Sequence, residues 1–159
     1  MKNVVFMMNV DLGREGRFSS SRSKPYKYSV DSWKRWCDKN DCELFVLTEE
    51  LINHDEMGIC WQRWYIFDLL ESNGIEYDQV LSVDADTIVH PDCPNFFEMT
   101  DNKFTVVTFD GSWDWVFRSI ESYSKHVFEN HMLKDVWNYF DSGFWIVNKS
   151  HKPFAKKLT

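Results

Sequence analysis

The segment Gln79–Pro91 reads QVLSVDADTIVHP and decides the fold of this chain. Its short apolar run is typical of a strand buried on both faces of a parallel sheet. Asp84 and Asp86 follow at the C-terminal end of that strand, which is the edge where open α/β sheets bind their ligands. Because side chains alternate along a strand, we expect these two carboxylates on one face and Ala85 on the other.

The two carboxylates predict a metal site. Negative charges held this close repel each other unless a cation lies between them. A hard divalent cation that keeps positions open for phosphate oxygens suits such a pair. An isolated Asp-x-Asp triplet also allows a solvated strand end whose aspartates only cap the next turn. Its position directly after a buried strand favours the metal site.

Length and charge limit the possible functions. The chain has 159 residues, which predicts a single domain over 1–159 with a proper core. Hydrophobic residues make up 43% and charged residues 27%, as in ordinary soluble globular proteins. The net charge of −7 disfavours nucleic acid as a partner. An acidic protein that binds a phosphate ligand needs a metal or a local arginine at the site.

The cysteines and the N-terminus indicate a cytoplasmic protein. The four cysteines show no Cys-x-x-Cys spacing, so they predict reduced, mostly buried thiols rather than a zinc or redox motif. The N-terminal apolar run is short, and it predicts neither a signal peptide nor a membrane span. The cysteines are Cys37, Cys42, Cys60 and Cys93.

Hydrophobic periodicity predicts alternating strands and helices, and therefore an α/β sandwich around a largely parallel sheet. Tryptophan is abundant, and most of the eight indoles are expected in the core. The predicted elements are strand Val4–Val10, helix Ser29–Lys39, strand Cys42–Thr48, helix Cys60–Ser72, the strand of the acidic pair, strand Lys103–Phe109, helix Val116–Leu133, two apolar segments on either side of Asp141–Gly143, and a short helix opened by Lys149–Pro153.

Three further features are candidates for binding. Arg63 lies among aromatic residues, either as an arginine snorkelling to the surface or, as we favour, as a cation aimed at a phosphate. The loop Gly13–Lys24 carries Arg14, Arg17 and Arg22, which either contact phosphate or are only solvated. The turn Asp110–Trp115 forms either one wall of a sugar pocket or a loop held by its tryptophans.

Taken together, Arg63 on a helix, the segment Tyr77–Asp86 and the later Phe140–Gly143 resemble the GT-A nucleotide-sugar glycosyltransferases, and among them the glycogenin-like and galactosyltransferase-like branches. The resemblance runs from the first strand to Asn148. It implies a GT-A (Rossmann-like) three-layer sandwich around a mostly parallel sheet. It also implies a retaining transfer of sugar from a nucleoside diphosphate sugar, expected to be UDP-linked, to a glycan, protein or small-molecule acceptor.

The resemblance also assigns roles to individual residues. A Mn²⁺ or Mg²⁺ ion would bridge Asp84, Asp86 and the donor diphosphate, and would act as a Lewis acid. Asp86 would be the firmer ligand, and Asp84 would either bind the metal directly or hold the ribose. Asp141 and Arg63 would be catalytic, with Arg63 at the phosphates or the donor sugar and Asp141 facing the transferred sugar. The substrate-binding residues that it implies are Met8, Asn9, Asp11, Arg63, Asp84, Ala85, Asp110, Ser142 and Gly143.

The chain departs from this pattern at one metal ligand. Many such enzymes supply a histidine well after the Ser-Gly strand, whereas His151 stands here in a different local context. We therefore expect that ligand to be missing, replaced by water, or lost with a short C-terminus.

Two other functions stay open. Asp84–Ile88 overlaps the Asp-x-Asp-x-Thr nucleophile motif of haloacid dehalogenase-like phosphatases, although that motif normally ends the first strand and Ile88 stands where Thr or Val is usual. The other alternative is a non-catalytic module that binds a nucleotide sugar on the same fold.

Overall fold

The computed structural model describes residues 2–11, 23–108, 111–126, 129–130 and 139–159. The strands are β1 (Asn3–Met8), β2 (Glu43–Leu47), β3 (Gln79–Asp84), β4 (Thr105–Thr108) and β5 (Phe140–Asn148). The α-helices are α1 (Ser23–Asn40), α2 (Ile66–Ser72), α3 (Trp113–His126) and α4 (Lys152–Ala155), and 3-10 helices cover Ile59–Tyr65, Phe96–Met99 and Lys149–His151. Among these helices, none combines the length and the apolar character that crossing a membrane requires.

The strands form one open sheet in the order β2-β1-β3-β5-β4. β1 pairs in parallel with β2 and β3, whereas β5 runs antiparallel to β3. The predicted mixed α/β class with a mostly parallel centre is therefore confirmed. Connecting two parallel strands needs a crossover, and α1 supplies it between β1 and β2.

The chain divides into two compact units. The first comprises Met1–Thr105 and Gly143–Thr159, and it contains β1, β2, β3 and the three helices α1, α2 and α4. The second comprises Val106–Ser142 and contains α3. Within α3, Val116 and Ile120 are buried on one side of the helix.

The core of the first unit lies between α1 and the sheet. Trp33, Trp36 and Cys37 lie three and four residues apart, so they share one face of α1, and each is 2% exposed or less. They pack with Val5 and Leu81, which are fully buried on the central strands. Burying a side chain of this size contributes about 1.5–3 kcal/mol, so this face of α1 fixes the helix against the sheet.

Several predicted elements differ from the described structure. α3 begins at Trp113, inside the predicted turn Asp110–Trp115. α1 begins at Ser23, inside the predicted loop Gly13–Lys24. The predicted helix Cys60–Ser72 is a 3-10 helix over Ile59–Tyr65 followed by α2, because periodicity over a few residues does not separate the two helix types. Asp141–Gly143 lie inside β5 and not between two segments.

The 3-10 helix is anchored by a buried glutamine. The side-chain oxygen of Gln62 accepts hydrogen bonds from the backbone N–H groups of Leu51 and Ile52, at 2.7 and 3.2 Å. Its side-chain nitrogen donates to the carbonyls of Ile52 and Met57, at 2.7 and 3.0 Å. The amide group of Gln62 therefore meets both the donors and the acceptors of the preceding loop, which explains why a polar side chain can be fully buried here.

Candidate functional site

The C-terminal ends of the parallel strands meet at one edge of the sheet. Met8, the last residue of β1, pairs with Asp84 of β3 on one side and with Leu47 of β2 on the other. The backbone N–H of Asn9 donates to the carbonyl of Leu47 at 2.8 Å, which continues this edge beyond β1. The predicted acidic motif, Asp84-Ala85-Asp86, therefore lies where ligands of open α/β sheets bind.

The acidic motif bends at the end of β3. The strand ends at Asp84, and Ala85 and Asp86 lie in a turn. Both the backbone N–H and the hydroxyl of Thr87 donate to the carbonyl of Asp84, at 3.2 and 2.7 Å. The expectation that the two carboxylates share a strand face is wrong, because the strand ends at Asp84 and these bonds close a turn that contains Asp86. Ala85 is buried and Asp86 is exposed.

Helix α1 holds this turn from the other side. The indole N–H of Trp33 donates to the hydroxyl of Thr87 at 3.0 Å, and the hydroxyl of Ser32 accepts from the backbone N–H of Val89 at 3.2 Å. Trp33 and Ser32 are both buried. Sequence reasoning missed Thr87 and Trp33 as site-supporting residues, and the only local signal was the threonine directly after Asp-Ala-Asp.

Arg63 contacts the acidic motif directly. Its Nη2 atom lies 2.8 Å from Oδ1 of Asp84, and its Nε donates to the carbonyl of Cys60 at 2.9 Å. The Arg63 side chain is only 10% exposed, whereas that of Asp84 is 39% exposed. Arg63 is therefore a buried cation at the acidic motif and not an arginine that snorkels along the surface.

The acidic motif offers a cation two carboxylates. Among the residues that the structure describes, no three His, Cys, Asp or Glu side chains are grouped so that they could hold a metal. Carboxylate oxygens suit Mg²⁺ and Mn²⁺, and Mg²⁺ sites commonly use one or two carboxylates with water and substrate phosphates. By donor chemistry alone, the carboxylate oxygens of Asp84 and Asp86 suit such a cation.

His151 lies at the opposite end of β3. Asn148 pairs with Gln79 at the start of β3, whereas Asp84 ends the strand about 16 Å away at the usual rise per residue. The His151 ring accepts a hydrogen bond from the backbone N–H of Asn148 at 3.1 Å and forms a capping box with it. His151 therefore ends the strand and starts the next helix, which rules it out as the further metal ligand.

The structure gathers most of the predicted site residues at one edge. Gly143 is buried and precedes Phe144, which pairs with Val83, so it lies on β5 next to the end of β3. Asp141 and Ser142 are exposed on β5 and belong to the second unit. Asp110, Arg14, Arg17 and Arg22 lie outside the described residues. The residues at the edge are Met8, Asn9, Arg63, Asp84, Ala85, Asp86 and Gly143, with Asp11 exposed just beyond β1.

A separate cavity of about 1360 Å³ lies at the other edge of the sheet. Its lining includes Asn3 and Glu43, the first residues of β1 and β2, together with Cys42 and Glu76. Parallel strands place their starts and their ends at opposite edges, so this cavity is remote from Asp84.

The comparisons with known proteins bear on the fold alone. No protein-family model matches the chain, and no curated protein sequence matches it. The fold is similar to the crystal structure of a glycosyltransferase involved in the glycosylation of the major capsid of PBCV-1, with a TM-score of 0.63 and 10% sequence identity. The match covers 99% of this chain and 64% of that chain.

A second solved structure, of a protein from STIV, matches at a TM-score of 0.35 and 15% identity over 100% of this chain and 69% of that chain, which is too low to support an argument. The first similarity gives the class: this chain has a glycosyltransferase-like α/β fold.

Proposed function

We propose that this chain is a metal-dependent glycosyltransferase that transfers a sugar from a nucleoside diphosphate sugar to an acceptor. The observation that carries the proposal is the acidic motif at the end of β3, where Asp84 pairs with the buried guanidinium of Arg63 and Asp86 follows in an exposed turn. The glycosyltransferase-like fold supports the same reaction class.

The charges of the site explain why the proposal includes a metal. Asp84, Asp86 and Arg63 together leave one net negative charge at the edge of the sheet. A nucleoside diphosphate sugar adds about two more negative charges, so it would be repelled without a further cation. A divalent Mn²⁺ or Mg²⁺ ion neutralises most of this charge, and its preference for oxygen ligands matches the two carboxylates.

Each residue has a distinct role in this proposal. Asp86 is the more exposed carboxylate and is the main ligand for the cation. Asp84 is held by Arg63, whose guanidinium orients its carboxylate at the end of β3. Arg63 also places positive charge beside the donor phosphates. When bound, the cation supplies Lewis-acid stabilisation of the departing diphosphate.

The transferred sugar and the acceptor are assigned by the resemblance. Gly143 lies next to the end of β3, where the absence of a side chain lets a ligand approach the backbone closely. Asp141 and Ser142 precede it and are proposed to face the sugar. We propose UDP as the nucleotide, retention at the anomeric carbon, and a glycan, protein or small molecule as the acceptor.

A panel of nucleotide sugars, assayed for hydrolysis and transfer with and without Mn²⁺, tests the proposal. We expect Mn²⁺-dependent turnover of one donor, its loss in Asp86→Ala, and its retention in the control Asp92→Ala, whose side chain is 87% exposed in the following loop. Turnover that Asp86→Ala leaves unchanged overturns the proposal. Metal-dependent donor binding without turnover selects the binding module, and hydrolysis of generic phosphoesters that Asp84→Asn abolishes selects the phosphatase.

A further inference from the structure

Two cysteines meet where α1 turns into β2. The backbone N–H of Cys42 donates to the carbonyl of Cys37 at 3.1 Å, across a turn in which Asp41 has a φ of +52°. A bond from a residue to the carbonyl five positions earlier, with a left-handed residue between them, is the Schellman motif of helix C-termini. In this motif the side chains of the two residues joined by the bond are frequently neighbours, and here both side chains are thiols.

The backbone places these cysteines within reach of a disulfide. The hydrogen bond from the Cys42 N–H to the Cys37 carbonyl limits the distance between the two Cα atoms. Because the chain of bonds that joins them through this hydrogen bond is bent, the Cα atoms lie within about 7 Å of each other, which is the upper limit for a disulfide. The Sγ of Cys42 lies 3.8 Å from the carbonyl oxygen of Cys37.

The two thiols differ in accessibility. Cys37 is 2% exposed, whereas Cys42 is half-buried and lines the cavity at the starts of β1 and β2. The hydrogen bond with Cys42 and burial raise the pKa of the Cys37 thiol. The same hydrogen bond lowers the pKa of the Cys42 thiol, against burial and the nearby charge of Asp41. Cys42 is thus the nucleophile, with a second thiol beside it to resolve its oxidation product.

We propose that Cys37 and Cys42 form an oxidative modification site, a dithiol that hydroperoxides convert to a disulfide. The Cys42 thiolate attacks the peroxide O–O bond and becomes a sulfenic acid, and the leaving oxygen takes up a proton. The Cys37 sulfur then attacks the Cys42 sulfur, which forms the S–S bond and releases the sulfenic oxygen as water. Two thiols are oxidised and one peroxide is reduced. This site does not depend on the proposed transferase activity.

Hydrogen peroxide treatment of the full chain, followed by denaturation, alkylation and trypsin digestion, tests this proposal. Trypsin cuts after Lys39, so the fragments Trp36–Lys39 and Asn40–Arg63 separate unless a disulfide joins them. Because the second fragment also contains Cys60, the mapping uses a Cys60→Ser, Cys93→Ser variant. We expect a joined pair of fragments that dithiothreitol separates.

Two single variants test the order of the steps, and the exposed thiol of Cys60 serves as an internal reference for oxidation. In Cys37→Ala we expect Cys42 to stop at the sulfenic acid, which dimedone captures, and in Cys42→Ala we expect Cys37 to stay reduced. In the unaltered chain, recovery of both Cys37 and Cys42 as alkylated thiols under conditions that oxidise the exposed Cys60 overturns the proposal. Conversion of Cys42 to sulfinic acid without the joined fragments overturns it as well.

Discussion

Nη2 of Arg63 lies 2.8 Å from Oδ1 of Asp84, and this ion pair joins the 3-10 helix Ile59–Tyr65 to the end of β3. The Arg63 side chain is largely buried, and it orients the Asp84 carboxylate, which is part of the proposed donor site. Arg63 and Asp84 are 21 residues apart in the sequence. Their ion pair is therefore a tertiary contact that helps to position the 3-10 helix against the end of β3.

Replacing Arg63 by Gln should weaken both the fold and donor binding. The change leaves Asp84 without its cation in a partly buried position, so we expect the free energy of unfolding to fall by about 1–3 kcal/mol. Arg63→Lys should recover only part of this loss, because an ammonium group lacks the planar fork that contacts both Asp84 and Cys60. Urea unfolding and calorimetric titration with the donor measure the two effects.

The matched control is Arg118→Gln, which breaks an ion pair with Asp114 whose side chains are 77% and 70% exposed. Exposed pairs contribute little, so we expect a change of about 0–1 kcal/mol and unchanged donor affinity. If Arg63→Gln behaves like this control, Arg63 has no special role at the edge of the sheet.

Thr87→Val should loosen the turn that carries Asp86. The substitution keeps the shape of the side chain but removes the hydroxyl that donates to the carbonyl of Asp84 and accepts from the indole of Trp33. A buried indole N–H left without an acceptor costs about 1–3 kcal/mol, and we expect the Mn²⁺ dependence of donor binding to shift to higher metal concentration.

Thr87→Ser separates these effects from a loss of packing. It retains the hydroxyl, so we expect it to restore the metal titration while losing only the stability that the methyl group provides. A metal titration that is the same in Thr87→Val as in the unaltered chain would contradict a positioning role for Thr87.

Ile146→Ala should destabilise the first unit without changing the site. Ile146 is 1% exposed on β5, and emptying such a position costs about 2–5 kcal/mol. The control is Ile88→Ala, because Ile88 is 72% exposed and its loss should change the free energy of unfolding by less than about 0.5 kcal/mol. Equal destabilisation in the two variants would mean that β5 is not packed as described.

The contact between Lys152 and Glu71 predicts a pH dependence of stability. The Lys152 ammonium, and after it the Tyr77 hydroxyl, hold the pKa of Glu71 below its ordinary value of 4.5. Because this pKa is depressed in the folded state, Glu71 contributes stability above its unfolded pKa. That contribution is lost as the pH falls through the folded pKa.

Urea unfolding of the unaltered chain and of Lys152→Met, at neutral and at acid pH, tests this dependence. The difference in unfolding free energy between the two proteins should shrink as the pH falls below 4.5. A difference that stays constant, or that grows in acid, would contradict the assignment.

Local patterns in the sequence were enough for the central strands and for the buried face of α1. The apolar run before Asp84 predicted β3, and the spacing of Trp33, Trp36 and Cys37 is one that places all three on a single face of a helix. Both features depend on residues that are close in sequence. The periodicity of side chains along a strand or a helix is enough to predict which of them share a face.

Contacts between distant residues explain what the sequence did not predict. The turn at Asp86 depends on Trp33, which lies 54 residues from Thr87. The position of His151 depends on the antiparallel direction of β5, and periodicity carries no information about strand direction. The partner of Arg63 depends on how the 3-10 helix packs against the sheet.

The measurement that tests the central claim most directly is calorimetric titration of UDP into the unaltered chain and into Asp86→Ala, each with and without Mn²⁺. The account predicts that UDP binds the unaltered chain only when Mn²⁺ is present, and that Asp86→Ala shows no Mn²⁺-dependent binding while its circular dichroism spectrum is unchanged. Equal UDP affinity in the two proteins, or binding that is indifferent to Mn²⁺, would contradict it.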